Sequence, residues 1–237
     1  MIKIHSIKVY GLLDSIKSTS FSYRGEIEEI NNIELTERMI KVSSLLGNKS
    51  AGLGEDKNLR FIQVQFVVEA SRYWWTEMDT YHFVERQSQG TLHCMRKFNY
   101  DSVKDPFIDP IIWDRFIEIV EEFKSNPSEE NRMRFKANLP EGFVLTSHLT
   151  TNYATLKTIF SQRHSHPLPE WGVFCQFISD LPLARELGLL SKKFDRFNLD
   201  RKEIKSIDKE DVIDNSKIES YQYINNFYDL SDLIYSL

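Results

Sequence analysis

No apolar run in this 237-residue chain approaches the roughly 20 residues that a membrane-spanning helix requires, because Arg, Glu, Lys or Gln interrupts each candidate. Membrane insertion is not expected. Cysteine is scarce: Cys94 and Cys175 are the only two, too few for a disulfide framework, and no charged-then-apolar leader opens the sequence, so the expected compartment is the cytoplasm. Positive charge is short as well. With 30 Lys and Arg against 35 Asp and Glu, a formal charge of −5 and a pI near 5.7, a broad basic face for duplex nucleic acid is not expected, although a local basic pocket for a nucleotide is compatible with this balance. Internal repeats and low-complexity tracts are absent. Gly52-x-Gly54 lacks the third glycine of a dinucleotide fingerprint, and nothing resembles a Ser or Cys nucleophile motif. His93, His148, His164 and His166 with the two cysteines fit no zinc spacing, so no metal is expected.

What is present is ordinary globular material, 41% apolar and 27% charged, with 13% aromatics, enough for one large core with appendages. Residues 2–10 alternate apolar and polar side chains and read as a half-buried strand with Ile2, Ile4 and Val9 inward. Leu35, Met39, Val42, Leu45 and Leu46 have helical spacing, which predicts a helix over 34–46 stopped at Gly47-Asn48. Residues 60–69 are β-branched and aromatic and predict a central strand, with Phe61, Val64, Phe66 and Val68 available for burial. After Ser71, a stretch dense in aromatic, charged and hydroxyl groups begins as helix. Ile111, Ile112, Phe116, Ile119, Val120 and Phe123 form one helical apolar face. A short charged helix near 128–137, a helix over 151–162 after a Thr-rich entry, and another over 169–180 complete a body at 1–190. Residues 191–237 read as an extension of short helices docking on that body.

Two segments combine residue types that bind ligands. Trp74, Trp75, Tyr73 and Tyr81 offer flat faces for a base or another planar ring, or equally a core or subunit interface. Gln87-Ser88-Gln89-Gly90-Thr91 joins small hydroxyls to a Gly, which suits a phosphate cradle or a polar turn. Arg72 at the strand end either serves a site or pairs with Glu69 or Glu77.

The stretch 152–171, NYATLKTIFSQRHSHPLPEW, holds Asn152, Leu156, Arg163 and Trp171. This spacing resembles the carboxyl-terminal signature of flavin-dependent thymidylate synthases, with the Trp one residue later than in the family pattern. Upstream, Ala70-Ser71-Arg72 closing a strand and the following Gln87-Ser88-Gln89 are similar to the family's Ser-Arg strand end and its QSQRY-like phosphate segment. The resemblance spans roughly 34–180. It implies an α/β (α+β) fold, a mostly antiparallel sheet flanked by long helices. It also implies one-carbon modification at C5 of a pyrimidine nucleotide, with FAD and folate as cofactors, and a homo-oligomer, a tetramer with sites between subunits. Carried over by position, Arg163 is the catalytic, pyrimidine-facing group. Arg72, Gln87, Ser88, Gln89 and Asn152 bind substrate, and Trp74, Trp75 and Tyr81 stack.

The family's Arg-His-Arg triplet is replaced by Thr80-Tyr81-His82, and Gly90 follows Gln89 where the family has Arg. Losing guanidiniums from one anion site predicts weak flavin affinity, since charge-assisted bonds contribute roughly 1.5–3 kcal/mol each. The chain is also similar to bacteriophage proteins with a YWW-x-E-x-D-T-Y segment followed by Q-S-x-x-T-x-H. The alternative implied is a catalytically inactive homologue that binds a nucleotide or a protein. Arg163, at a helix end, gains only about 0.3–1 kcal/mol from the helix dipole, so its loss is expected to affect ligand more than folding.

Overall fold

The computed structural model describes residues 1–49 and 54–190, together with the backbone of short strands at 223–224 and 228–229. Apart from those two strands, the expected extension at 191–237 lies outside the described residues. The sheet is built on β1 (Ile2–Tyr10), β2 (Gln63–Ser71), β3 (Glu85–Ser88) and β4 (Val144–Asn152) in the spatial order β3-β4-β2-β1, every pair antiparallel. Tyr223–Ile224 (β5) and Tyr228–Asp229 (β6) both pair with the far edge of β1.

In β2 the alternation is strict. Ile62, Val64, Phe66, Val68 and Ala70 are all fully buried, whereas Phe61, expected inside, falls on the opposite parity just before the strand and is 66% exposed. β1 buries Ile2 and Ile4, then Ile7 and Val9, a change of phase that requires one extra residue. Ser6 supplies it as a bulge with φ 56°, between pairs His5↔Val67 and Lys8↔Gln65.

Helices α1 (Leu12–Ser18), α2 (Glu37–Gly47), α7 (Tyr153–Arg163) and α8 (Pro169–Ser179) cover the main core with the short α3 (Arg72–Met78). Thr36 caps α2 by accepting from the Met39 amide at 3.4 Å. A smaller core lies around α5 (Pro110–Ser125) and α6 (Glu129–Ala137), beyond the one-turn α4 (Thr91–Cys94), where Phe116, Phe135 and Phe143 pack edge and tilted. Asp109 caps α5, accepting from Ile111 N at 2.8 Å, with Pro110 in the first turn. The buried face of α5 is Trp113, Phe116, Ile119, Val120 and Phe123. Ile111 and Ile112, expected on that face, are 79% and 58% exposed, because in the first turn the buried position falls to Trp113. Among the described residues no helix is long and apolar enough to cross a membrane.

The main core is tied to α3 and α8 by a buried polar knot. The amino-terminal ammonium of Met1 donates to Asp105 and, at 2.9 Å, to Glu170; Ser71 donates to Asp105 and Tyr73 to Glu170. Burial by itself would raise both carboxyls, but the hydrogen bonds from the ammonium, Ser71 and Tyr73 hold Asp105 and Glu170 below the usual carboxylate range. A depressed folded-state pKa means the unfolded chain binds more protons in acid. The knot's contribution is thus complete above the ordinary carboxylate values and is lost as pH falls through the folded ones. Urea unfolding followed from about pH 7 to about pH 3 is expected to lose stability steeply below about pH 4. Glu170→Gln should start less stable and show a shallower acid slope; an unchanged slope would remove Glu170 from the linkage.

Candidate functional site

Asn152 ends β4 and also begins α7. Its side chain accepts from the Thr155 amide at 3.0 Å, an N-cap that turns the chain directly from strand into helix. The Tyr153 amide donates to Ile62 O at 3.1 Å and fixes that corner against β2. Thr155, Thr158 and Gln162 then follow at helical spacing on one face of α7. They form one wall of a cleft of about 390 Å3. Its other walls are Asp56 and Arg60, at the 3-10 turn Lys57–Arg60, and Thr80–Phe83, the loop between α3 and β3.

Behind the cleft, Arg163 joins the two segments that the sequence singles out. Its Nη1 donates to Glu77 Oε2 at 2.6 Å and its Nε donates to the Tyr81 hydroxyl at 2.7 Å. The guanidinium carbon stands 4.6 Å from the centre of the Trp171 ring, and Trp171 Nε1 also donates to Glu77 Oε2, at 2.8 Å. His166 Nε2 faces the same oxygen at 3.4 Å. Residues 72–91 and 152–171 therefore meet, through α3, the following loop and the end of α7. Burial pushes the Tyr81 phenol up, and the neighbouring Arg163 partly opposes this.

A second charge pair closes the floor. Lys157 and Asp56 are both buried, 3.7 Å apart, and Lys157 Nζ donates to Gly47 O at 2.7 Å and to Lys49 O. Burial lowers the Lys157 pKa while Asp56 holds it up. The other carboxylate oxygen of Asp56, Oδ1, is buried without a hydrogen-bond partner, an acceptor left unmet in a residue that lines the cleft.

Of the residues named from sequence, Asn152 and Tyr81 line the cleft and Arg163 stands behind Tyr81. Arg72 instead donates to Leu139 O and pairs with Glu141 at 3.3 Å, bracing the turn before β4. Gln87 and Ser88 form the exposed edge strand β3 opposite His148 and Ser147, and Gln89 exchanges backbone and side-chain hydrogen bonds with Thr146. None of these four is on the cleft wall. Trp74 and Trp75 are core residues. Trp74 packs between Trp75 and Trp171, each at 5.0 Å between centroids, and Trp75 Nε1 donates to Ala70 O. The expected stacking faces are thus covered by protein, because α3 turns these indoles inward. Asp56, Arg60, Lys157 and Phe83 carried no motif.

Phe83 stands out among them. It lies at φ 62° and is 74% exposed on the cleft. A left-handed backbone at a bulky residue costs on the order of 1–3 kcal/mol and persists only where neighbours enforce it. Thr151 helps to do so, its hydroxyl donating to Phe83 O at 2.9 Å.

No family model matches the chain, and no curated protein does. Solved structures do. A flavin-dependent thymidylate synthase from Helicobacter pylori, in complex with FAD and dUMP, superposes with a TM-score of 0.58 at 14% identity, covering 80% of this chain and 98% of that one. Another structure of that enzyme with FAD and dUMP gives 0.60 at 13% identity, with 81% and 100% covered. A UMP/dUMP methylase from Streptomyces cacaoi, bound to 5-Br dUMP, gives 0.56 at 13% identity, with 79% and 93% covered. The likeness is one of fold, and the antiparallel sheet with its flanking helices is the fold these enzymes share.

Proposed function

We propose that this chain, which has the fold of the flavin-dependent thymidylate synthases, binds a pyrimidine nucleotide in the cleft between the 80–83 loop and α7. The reaction we assign to it is one-carbon modification at C5 of that nucleotide. The observation that carries this reading is that Asn152 and Tyr81 line one cleft, with Arg163 hydrogen-bonded to Tyr81 behind it. In it Asn152 and the hydroxyls of Thr155 and Thr158 orient the nucleotide, Arg60 meets its phosphate, and Arg163 acts through Tyr81. Assembly into a homo-oligomer with shared sites, and a carboxyl-terminal extension docked on the body, belong to the same reading.

FAD does not fit the cleft's charges. Its two linked phosphates call for more than one cation, whereas Arg60 is the one Lys or Arg lining the cleft among the described residues; Arg163 is already engaged by Glu77. The same charges favour a second reading, a homologue that binds the nucleotide without turnover.

Calorimetry with dUMP tests binding. Release of tritium from [5-3H]dUMP, supplied with a folate one-carbon donor and reduced flavin, tests the chemistry, because substitution at C5 must expel that hydrogen. Binding with release supports the enzyme, and binding without release supports the second reading. An absence of dUMP binding removes both.

A further inference from the structure

We infer that Phe83 is the platform on which the ligand's planar ring stacks, an inference that rests on the cleft being the nucleotide site. Two unfavourable features coincide at this residue. Its backbone occupies the left-handed region, and its ring stands 74% exposed instead of joining the core beneath it. A turn alone would be served better by Gly or Asn, which adopt that backbone without strain. Phe83 is nevertheless held there by the Thr151 hydroxyl, on a strand that leads straight into the cap residue Asn152. The ring therefore borders a cleft whose remaining walls are mostly hydroxyl, amide and charged groups. A flat apolar face beside polar groups is the arrangement that takes a heterocycle by stacking while its edge and phosphate find hydrogen bonds. The ligand class is a mononucleotide whose base is read by its face at Phe83, with the hydroxyl and amide groups of the opposite wall on α7 available to its polar edge.

The test compares wild type, Phe83→Gly and Phe83→Tyr, with dUMP and 2-deoxyribose 5-phosphate as probes in calorimetry, and with melting and sedimentation measured alongside. Phe83→Gly keeps the backbone without strain and removes only the ring. It should melt no lower than wild type, weaken dUMP about ten-fold or more, and leave the base-free sugar phosphate unchanged. Phe83→Tyr should retain dUMP. Full dUMP affinity in Phe83→Gly overturns the platform while leaving the nucleotide site standing. Equal loss of both probes would also overturn it, by making the ring a determinant of cleft shape. So would a changed sedimenting mass at unchanged dUMP affinity, which would assign the ring to contact between copies. Failure of wild type to bind dUMP overturns the site and the platform together.

Discussion

Lys157→Met is expected to lower the melting temperature on the order of ten degrees. Removing one member of a buried ion pair typically costs about 3–5 kcal/mol, because the remaining charge stays desolvated, and each kcal/mol corresponds to about 2–4 °C in a domain of this size. Here the residue left behind is Asp56, whose Oδ1 already has no partner. Lys157 also satisfies the carbonyls of Gly47 and Lys49 at the end of α2, so the loss reaches a helix terminus as well. The double variant Lys157→Met/Asp56→Asn, which leaves no buried charge, should recover part of the deficit. If Lys157→Met melts within a degree or two of wild type, the pair is not holding this floor together.

Arg163→Ala should also destabilise, by about 2 kcal/mol or more. The position at the end of α7 by itself suggested no more than the dipole contribution, but the structure places the guanidinium in two charge-assisted hydrogen bonds and against the Trp171 face. Such bonds contribute roughly 1.5–3 kcal/mol each, and the side chain is only 17% exposed, so solvent screens them weakly. Without it Glu77 keeps only Trp171 and His166, and Tyr81 loses the donor that orients its hydroxyl at the cleft. Arg163→Lys should rescue little, since one ammonium cannot span Glu77 and Tyr81 as the planar fork does. A thermodynamic cycle with Glu77→Gln measures the coupling directly, and additive single effects would reduce Arg163 to a group acting on ligand alone.

The parts of the fold readable in the sequence are those whose periodicity is apolar. Val64, Phe66 and Val68 identify β2, and α2 ends within a residue of its expected stop at Gly47-Asn48. In the sequence β4 reads as a Thr-rich entry to a helix, because two of its inward positions are Ser147 and Thr151, which bury hydroxyls where alternation is normally signalled by hydrophobes. β3 had even less to show, four exposed polar residues held by hydrogen bonds to β4. The same limit governs the site. Asn152 and Arg163 stand out in the sequence through the resemblance of 152–171 to the family signature, and Tyr81 because it falls in an aromatic cluster. Asp56, Lys157 and Phe83 depend on partners far along the chain or on a backbone angle, neither of which leaves a local pattern. Trp74 and Trp75 show the converse, since composition alone does not separate an indole that faces a ligand from one that faces the sheet.

The order of strands in the sheet also sets a timescale. β2 and β3 follow each other in sequence yet do not touch, and both pair with β4, which is made after α5 and α6. Glu77 and Arg163 are separated by 86 residues. The contacts that join the cleft's walls, Thr151 to Phe83 and Asp56 to Lys157 as well as Arg163 to Glu77, thus require long loops to close before any stabilisation is returned, which places folding toward the slow, millisecond-to-second class and not with helical bundles. The cleft is complete only once these distant segments have met, so the ligand proposed for it has nothing to grip in the early chain. Its effect will be felt afterwards, as a slower escape from the native state.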